Sequence, residues 1–114
     1  MQASLKQLQL FEAVARLGSF TRAAEEVHLT QPAVSIQLKR LEEIVGMELF
    51  EQVGRNISLT GVGHDVLRHA RTILEEFDAL EAEIDELKGL KRGKLSISTV
   101  TTVNYFSPIL LRTF

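Results

Sequence analysis

Residues Ser19–Gly46, SFTRAAEEVHLTQPAVSIQLKRLEEIVG, decide the fold, because they read as two helices and a connection too short to be a free loop. Ser19 is placed to cap the first helix, whose inward face is Phe20, Ala23, Ala24 and Val27. The two adjacent alanines permit close approach of another helix. After His28–Leu29, Thr30 supplies a capping hydroxyl. Gln31–Pro32 then puts a proline in the first turn, where its missing N–H leaves no bond unmade. The second helix therefore starts at Gln31.

On that second helix Val34, Leu38, Leu41 and Val45 recur at steps of three and four and form one apolar stripe. The other side carries Gln31, Ala33, Ser35, Ile36, Gln37, Lys39 and Arg40 in its first turns. Small, amide, hydroxyl and basic groups together suit the base edges and phosphates of a duplex. A helix-turn-helix places these same turns in the major groove, so position and chemistry agree. A solvated face on an ordinary helical hairpin fits the same residues, and this segment alone leaves both readings open.

Upstream, Ser4–Leu5–Lys6–Gln7 is a capping box opening a helix with apolar positions Leu5, Leu8, Phe11, Val14 and Ala15, and Gly18 is its natural stop. That helix offers no chemistry of its own and completes a three-helix core. Downstream of Gly46 the period shortens. Glu48–Gln52 and Asn56–Leu59 alternate, with Gly54 in the turn between them, so residues 49–60 read as a small β-hairpin.

The stretch 61–88 is a second organising feature. Val66, Ala70, Ile73, Phe77, Leu80, Ile84 and Leu87 step by four and three without a break, as in a coiled coil, and Leu67 and Leu74 widen the seam. Such a helix runs roughly 40 Å, further than the preceding domain can cover. The simplest partner for its far end is the same helix of a second copy. Folding back onto its own domain would account for the first turns after Thr60 but not for Phe77 through Leu87.

Several motifs in this order resemble the DNA-binding domain of LysR-type transcriptional regulators. They are Phe20–Ala24, Thr30–Ser35 (TQPAVS), Leu38–Glu42 (LKRLE), Leu49–Glu51 and Leu59–Thr60. The resemblance implies a mainly α, winged helix-turn-helix, a three-helix core plus β-hairpin wing, followed by a long dimerisation helix. It implies residues 1–60 as the DNA-binding domain, 61–88 as linker and dimerisation helix, 89–93 as hinge, and 94–114 as the start of a truncated effector-binding domain. In that family the wing lies along the DNA backbone or minor groove, which gives Arg55 a phosphate or a narrow groove to reach. Thr101 and Thr102 correspond to where family members hold a small-molecule effector, a pocket that needs the missing C-terminal domain. Leu87–Leu90 and Thr101–Phe106 are similar to the subgroup that controls carbon-fixation operons. The chain departs from the family at Gly61–Val62–Gly63, where proline and a small residue usually precede glycine. Two glycines weaken a first turn by about 1 kcal/mol each, so a looser junction is expected.

Composition both limits and permits this reading. In 114 residues the formal net charge is −2, which by itself argues against nucleic acid. Most of the acid excess, however, sits between Gly61 and Arg92, with eight acids against five bases, whereas residues 1–60 hold seven against six. There is no cysteine, and His28, His64 and His69 are scattered, so neither a metal set nor a cofactor is expected. No run approaches a membrane span and no leader opens the chain, so a cytoplasmic protein is expected.

The expected function is sequence-specific binding of double-stranded operator DNA by a homodimer, and a full-length protein could go on to a tetramer. Gln31, Pro32, Ala33, Ser35, Ile36 and Lys39 would face the bases, with Ile36 available to a thymine methyl. Thr21, Thr30, Arg40 and Arg55 would hold phosphates. The competing reading is a helical dimerisation module that binds protein. An enzyme is the poorest fit, since no nucleophile–base pair, phosphate loop or catalytic residue is apparent, and Glu25–Glu26 and Glu42–Glu43 are adjacent and point apart.

Overall fold

The computed structural model describes residues 1–91. Residues 92–114, with Thr101, Thr102 and the expected effector-domain segment, lie outside the described residues. The elements are α1 (Leu5–Leu17), α2 (Phe20–Val27), α3 (Gln31–Val45), β1 (Phe50–Val53), β2 (Asn56–Leu59) and α4 (Gly61–Lys91). Two compact units are present, Met1–Glu76 and a second beginning at Phe77.

Each short helix begins and ends on a local signal. The Ser4 hydroxyl accepts from the Gln7 N–H at 3.1 Å and the Gln7 side chain accepts from the Ser4 N–H at 3.0 Å, completing the capping box. Ser19 and Thr30 accept from the N–H groups of Arg22 and Ala33. Gly18 and Gly46, at φ of 68° and 81°, end α1 and α3. His28 does the same for α2 at φ 62°, although it carries a β-carbon. The Leu29 N–H reaches back to the Ala24 carbonyl at 2.9 Å and secures that end.

The core of the first unit joins Leu10, Phe11 and Val14 of α1, Ala23 and Ala24 of α2, Val34, Leu38 and Leu41 of α3, and Leu49 and Leu67. Burying each large side chain contributes about 1.5–3 kcal/mol. On α1 the apolar stripe differs from the expected one. Leu10 and Ala13 are buried, whereas Leu5, Leu8 and Ala15 are half-buried. Because α1 packs against both α2 and α3, it needs a broad face in place of a single stripe.

The hairpin pairs Phe50 with Leu59, Glu51 with Ser58, Gln52 with Ile57 and Val53 with Asn56. Gly54, at φ 64°, is the first of two turn residues, and Arg55 keeps a negative φ, the sign pattern of a type II′ turn. Pairing begins at Phe50, not at Glu48. The Leu49 N–H is already donated to the Glu42 carboxylate at 2.8 Å, and its carbonyl accepts from Thr60 N–H at 3.0 Å.

At the start of α4 the Thr60 hydroxyl donates to the Glu48 carbonyl at 2.7 Å and accepts from the Gly63 N–H at 2.9 Å. Gly63 is buried, and a β-carbon there would lie 2.2 Å from the Leu49 carbonyl oxygen. The looser junction expected from two glycines is therefore corrected at this position. Gly63 is what lets helix and hairpin backbone touch, while Gly61 has open space.

α4 continues to Lys91, through Gly89, so residues 89–91 are helix and not hinge. One glycine costs about 1 kcal/mol in a helix. Its apolar seam is split in use. Leu67 and Ala70 are buried and Val66 is half-buried against the core, so Ala70 of the expected dimer surface is spent inside its own chain. Ile73, Phe77, Leu80, Ile84, Leu87 and Leu90 are exposed, Leu80 at 51% and Leu87 at 55%. Among the described residues no helix is long and apolar enough to cross a membrane.

Candidate nucleic-acid interface

Burial of Val34, Leu38 and Leu41 fixes how α3 is turned about its axis, because a residue four positions on returns to nearly the same side. Two rows are thereby left on the outside, Gln31–Ser35–Lys39 and Pro32–Ile36–Arg40. Gln31, Pro32, Ile36, Lys39 and Arg40 are exposed, and Ile36 keeps 53% of its surface in contact with solvent. Ala33 and Ser35 are half-buried. The Gln31 Nε2 donates to the Ser35 Oγ at 2.7 Å, one turn along the same row. Thr30 stands at the N-cap, Thr21 is exposed on the first turn of α2, and Arg55 is exposed in the hairpin turn.

The hairpin is held beside this face from two directions. The Glu42 Oε2, on the flank of α3, accepts from the N–H groups of Leu49 and Phe50 at 2.8 and 3.4 Å. Phe50 packs against Phe11 and Phe20, with ring centroids 5.2 and 5.8 Å away. Between hairpin and helix an open cleft of about 220 Å³ remains, with Ser35 and Lys39 on one wall and Phe50, Gln52 and Ile57 on the other.

Charge is arranged unevenly. Arg16 on α1 is chelated by Glu26 and Glu12, which raises its pKa further above its ordinary value and lowers that of Glu26. Arg68 pairs with Asp65, and Arg71 lies 4.0 Å from Glu12. In contrast, among the described residues Arg22, Lys39, Arg40 and Arg55 take part in no ion pair. Cations on α2, α3 and the hairpin are thus available to an external anion, as is Lys6 of α1, while Arg16 of α1 and Arg68 and Arg71 of α4 are engaged.

The pattern of bacterial regulatory helix-turn-helix proteins of the lysR family matches residues 5–64, from the first helix to the start of the fourth. The chain belongs to this family. It is 48% identical, over all of its length and 38% of the relative's, to the RuBisCO operon transcriptional regulator of Allochromatium vinosum. To the transcriptional regulator CbbR of Rhodospirillum rubrum it is 49% identical, over 96% of this chain and 37% of that one. The chain thus spans a little over a third of the curated relatives it matches. Among solved structures it is similar to the BenM DNA-binding domain in complex with catB site 1 DNA. The TM-score is 0.72 at 32% identity, covering 75% of this chain and 94% of that one. LysR-family membership places the chain among regulators, not enzymes, and agrees with the mainly α winged helix-turn-helix expected from its motifs. The carbon-fixation resemblance of the sequence agrees with these relatives.

Sequence reasoning missed three contributors to this LysR-type face. Glu42 looks like one of many surface acids, and only its position on the border of the apolar stripe, just before a turn, hints that it could cap a following loop. Gln7 is 8% exposed and donates through Nε2 to the Gln37 side chain of α3 at 3.3 Å, linking first and third helices. Arg22 stands unpaired on the first turn of α2, beside Thr21.

Proposed function

We propose that the chain binds double-stranded DNA as a symmetric dimer, as the DNA-reading part of a regulator acting on a RuBisCO operon in the cytoplasm. The outer rows of α3 enter the major groove, where Gln31, Pro32, Ala33, Ile36 and Lys39 face base edges and Ser35 stands in the same row as Gln31. Thr21, Thr30, Arg40 and Arg55 hold phosphates, the last from the wing. The observation that carries this reading is the set of unpaired cations flanking an exposed polar helix start. The DNA complex of the similar BenM domain supports it. Two copies joined through Ile73, Phe77, Leu80, Ile84 and Leu87 present two reading helices at a fixed separation, so each contact counts twice.

Duplex affinity measured against salt tests the reading. Affinity should fall by orders of magnitude between low and moderate salt, because each phosphate contact releases condensed counterions. Absence of duplex binding in dilute buffer, with self-association intact, would point to a protein-binding module instead.

A further inference from the structure

We propose that Ser35 is a positioning residue for Gln31, and that the pair reads a single adenine. The proposal rests on the reading of α3 as the helix in the major groove. The Gln31 carboxamide is exposed at the tip of α3, whereas Ser35, one turn further on, is half-buried and lines the cleft towards the hairpin. Its Oγ is already engaged as acceptor of the Gln31 Nε2 proton at 2.7 Å.

A primary amide nitrogen carries two protons, one on the side of its own oxygen and one on the side of its carbon chain. In the proposed arrangement Ser35 takes the chain-side proton. The oxygen-side proton and Oε1 then lie next to each other, facing outward as one donor and one acceptor. Adenine offers the complement in the major groove, with N7 as acceptor and the N6 amino group as donor. Guanine offers two acceptors there, so the same orientation sets Oε1 against O6 and rejects it. Without the hydroxyl the carboxamide turns over easily and can present its amino group to guanine. Ser35 therefore acts on the base through Gln31.

The test is selection of bound duplexes from a random pool by the whole 114-residue chain, its Gln31→Ala, Ser35→Ala and Ser35→Thr variants, and the Gln31→Ala/Ser35→Ala double variant. The parent should show one position with a strong preference for adenine, which Gln31→Ala abolishes. Ser35→Ala should relax that same position towards guanine, with a roughly tenfold or greater fall in the adenine-to-guanine ratio. Ser35→Thr, which keeps the hydroxyl, should retain it, and the double variant should match Gln31→Ala alone. If Ser35→Ala changes a different position from Gln31→Ala, or the two losses multiply, Ser35 reads its own base and the proposal is overturned. If no variant changes any position although the parent selects a sequence, α3 is not in the groove, and the underlying reading falls with the proposal.

Discussion

α3 and α4 are both amphipathic helices, but they dispose of their apolar stripes differently. In α3 the stripe of Val34, Leu38 and Leu41 vanishes into the core of its own chain, and the polar side is displayed. In α4 the stripe is covered as far as Ala70, and from Ile73 to Leu90 it stays exposed apart from half-buried Leu74. A stripe that is covered within the chain orients whatever lies opposite it. A stripe left bare calls for a partner, since a row of large apolar side chains in water forgoes about 25 cal/mol for each Å² left unburied. On the proposed reading, the first helix is arranged to present its polar side and the far part of the second to associate.

The sharpest way to break this contrast is to remove one buried anchor from α3. Leu41→Ala should cost about 2–5 kcal/mol of stability, visible as a lower denaturation midpoint. An unchanged midpoint would mean that α3 is not held from inside. Next in size, Leu80→Asp in the bare seam should weaken self-association by roughly a hundredfold, or about 2.7 kcal/mol, while leaving helix content nearly intact. Sedimentation equilibrium and circular dichroism on the same samples check it, and an unaltered dimer would remove Leu80 from the interface.

Glu42→Ala addresses the hold of α3 on the hairpin. It strips the acceptor from the N–H groups of Leu49 and Phe50, at about 1–3 kcal/mol, and should weaken duplex binding more than Glu43→Ala does. Equal binding by the two variants would deny Glu42 its role as a strut. His28→Gly should stabilise by about 0.5–1 kcal/mol, since a left-handed backbone strains a residue with a β-carbon. Loss of stability in that variant would show that the imidazole makes a contact worth more than the strain.

The smallest effect concerns the link between α1 and α2. Glu26 has its pKa lowered by Arg16. Its contribution to stability is therefore present above the ordinary glutamate pKa of about 4.3 and is lost as pH falls through the lower, folded value. Glu26→Gln should leave the melting profile between neutral pH and pH 5 only slightly lower, and should flatten its decline below pH 4. A steeper acid decline in the variant would contradict the pairing.

Much of the fold was legible because its signals are local. Ser4 with Gln7, Ser19, Thr30 with Pro32, and Gly18 and Gly46 mark helix ends through bonds spanning three or four residues, and the alternation around Gly54 marks the hairpin in the same way. Most outward residues of α3 followed from its period, but Ala33 and Gln37 are half-buried and Gln37 is turned to Gln7 of α1. What stayed illegible depends on residues distant in sequence. The Glu42 carboxylate under Leu49, Gly63 against the Leu49 carbonyl, and Gln7 on Gln37 are contacts that no spacing rule announces. The seam of α4 was legible as a seam, yet its spacing is the same at Ala70 as at Leu80.

By itself, then, the order of residues determined where each helix begins and ends, which side of it is greasy, and where the chain turns, because these rest on bonds and periodicities within a few residues. Only the tertiary structure decided which part of a greasy side is spent inside the chain, and which small group locks hairpin to helix. Those outcomes depend on packing, and packing is settled by which surfaces meet in three dimensions.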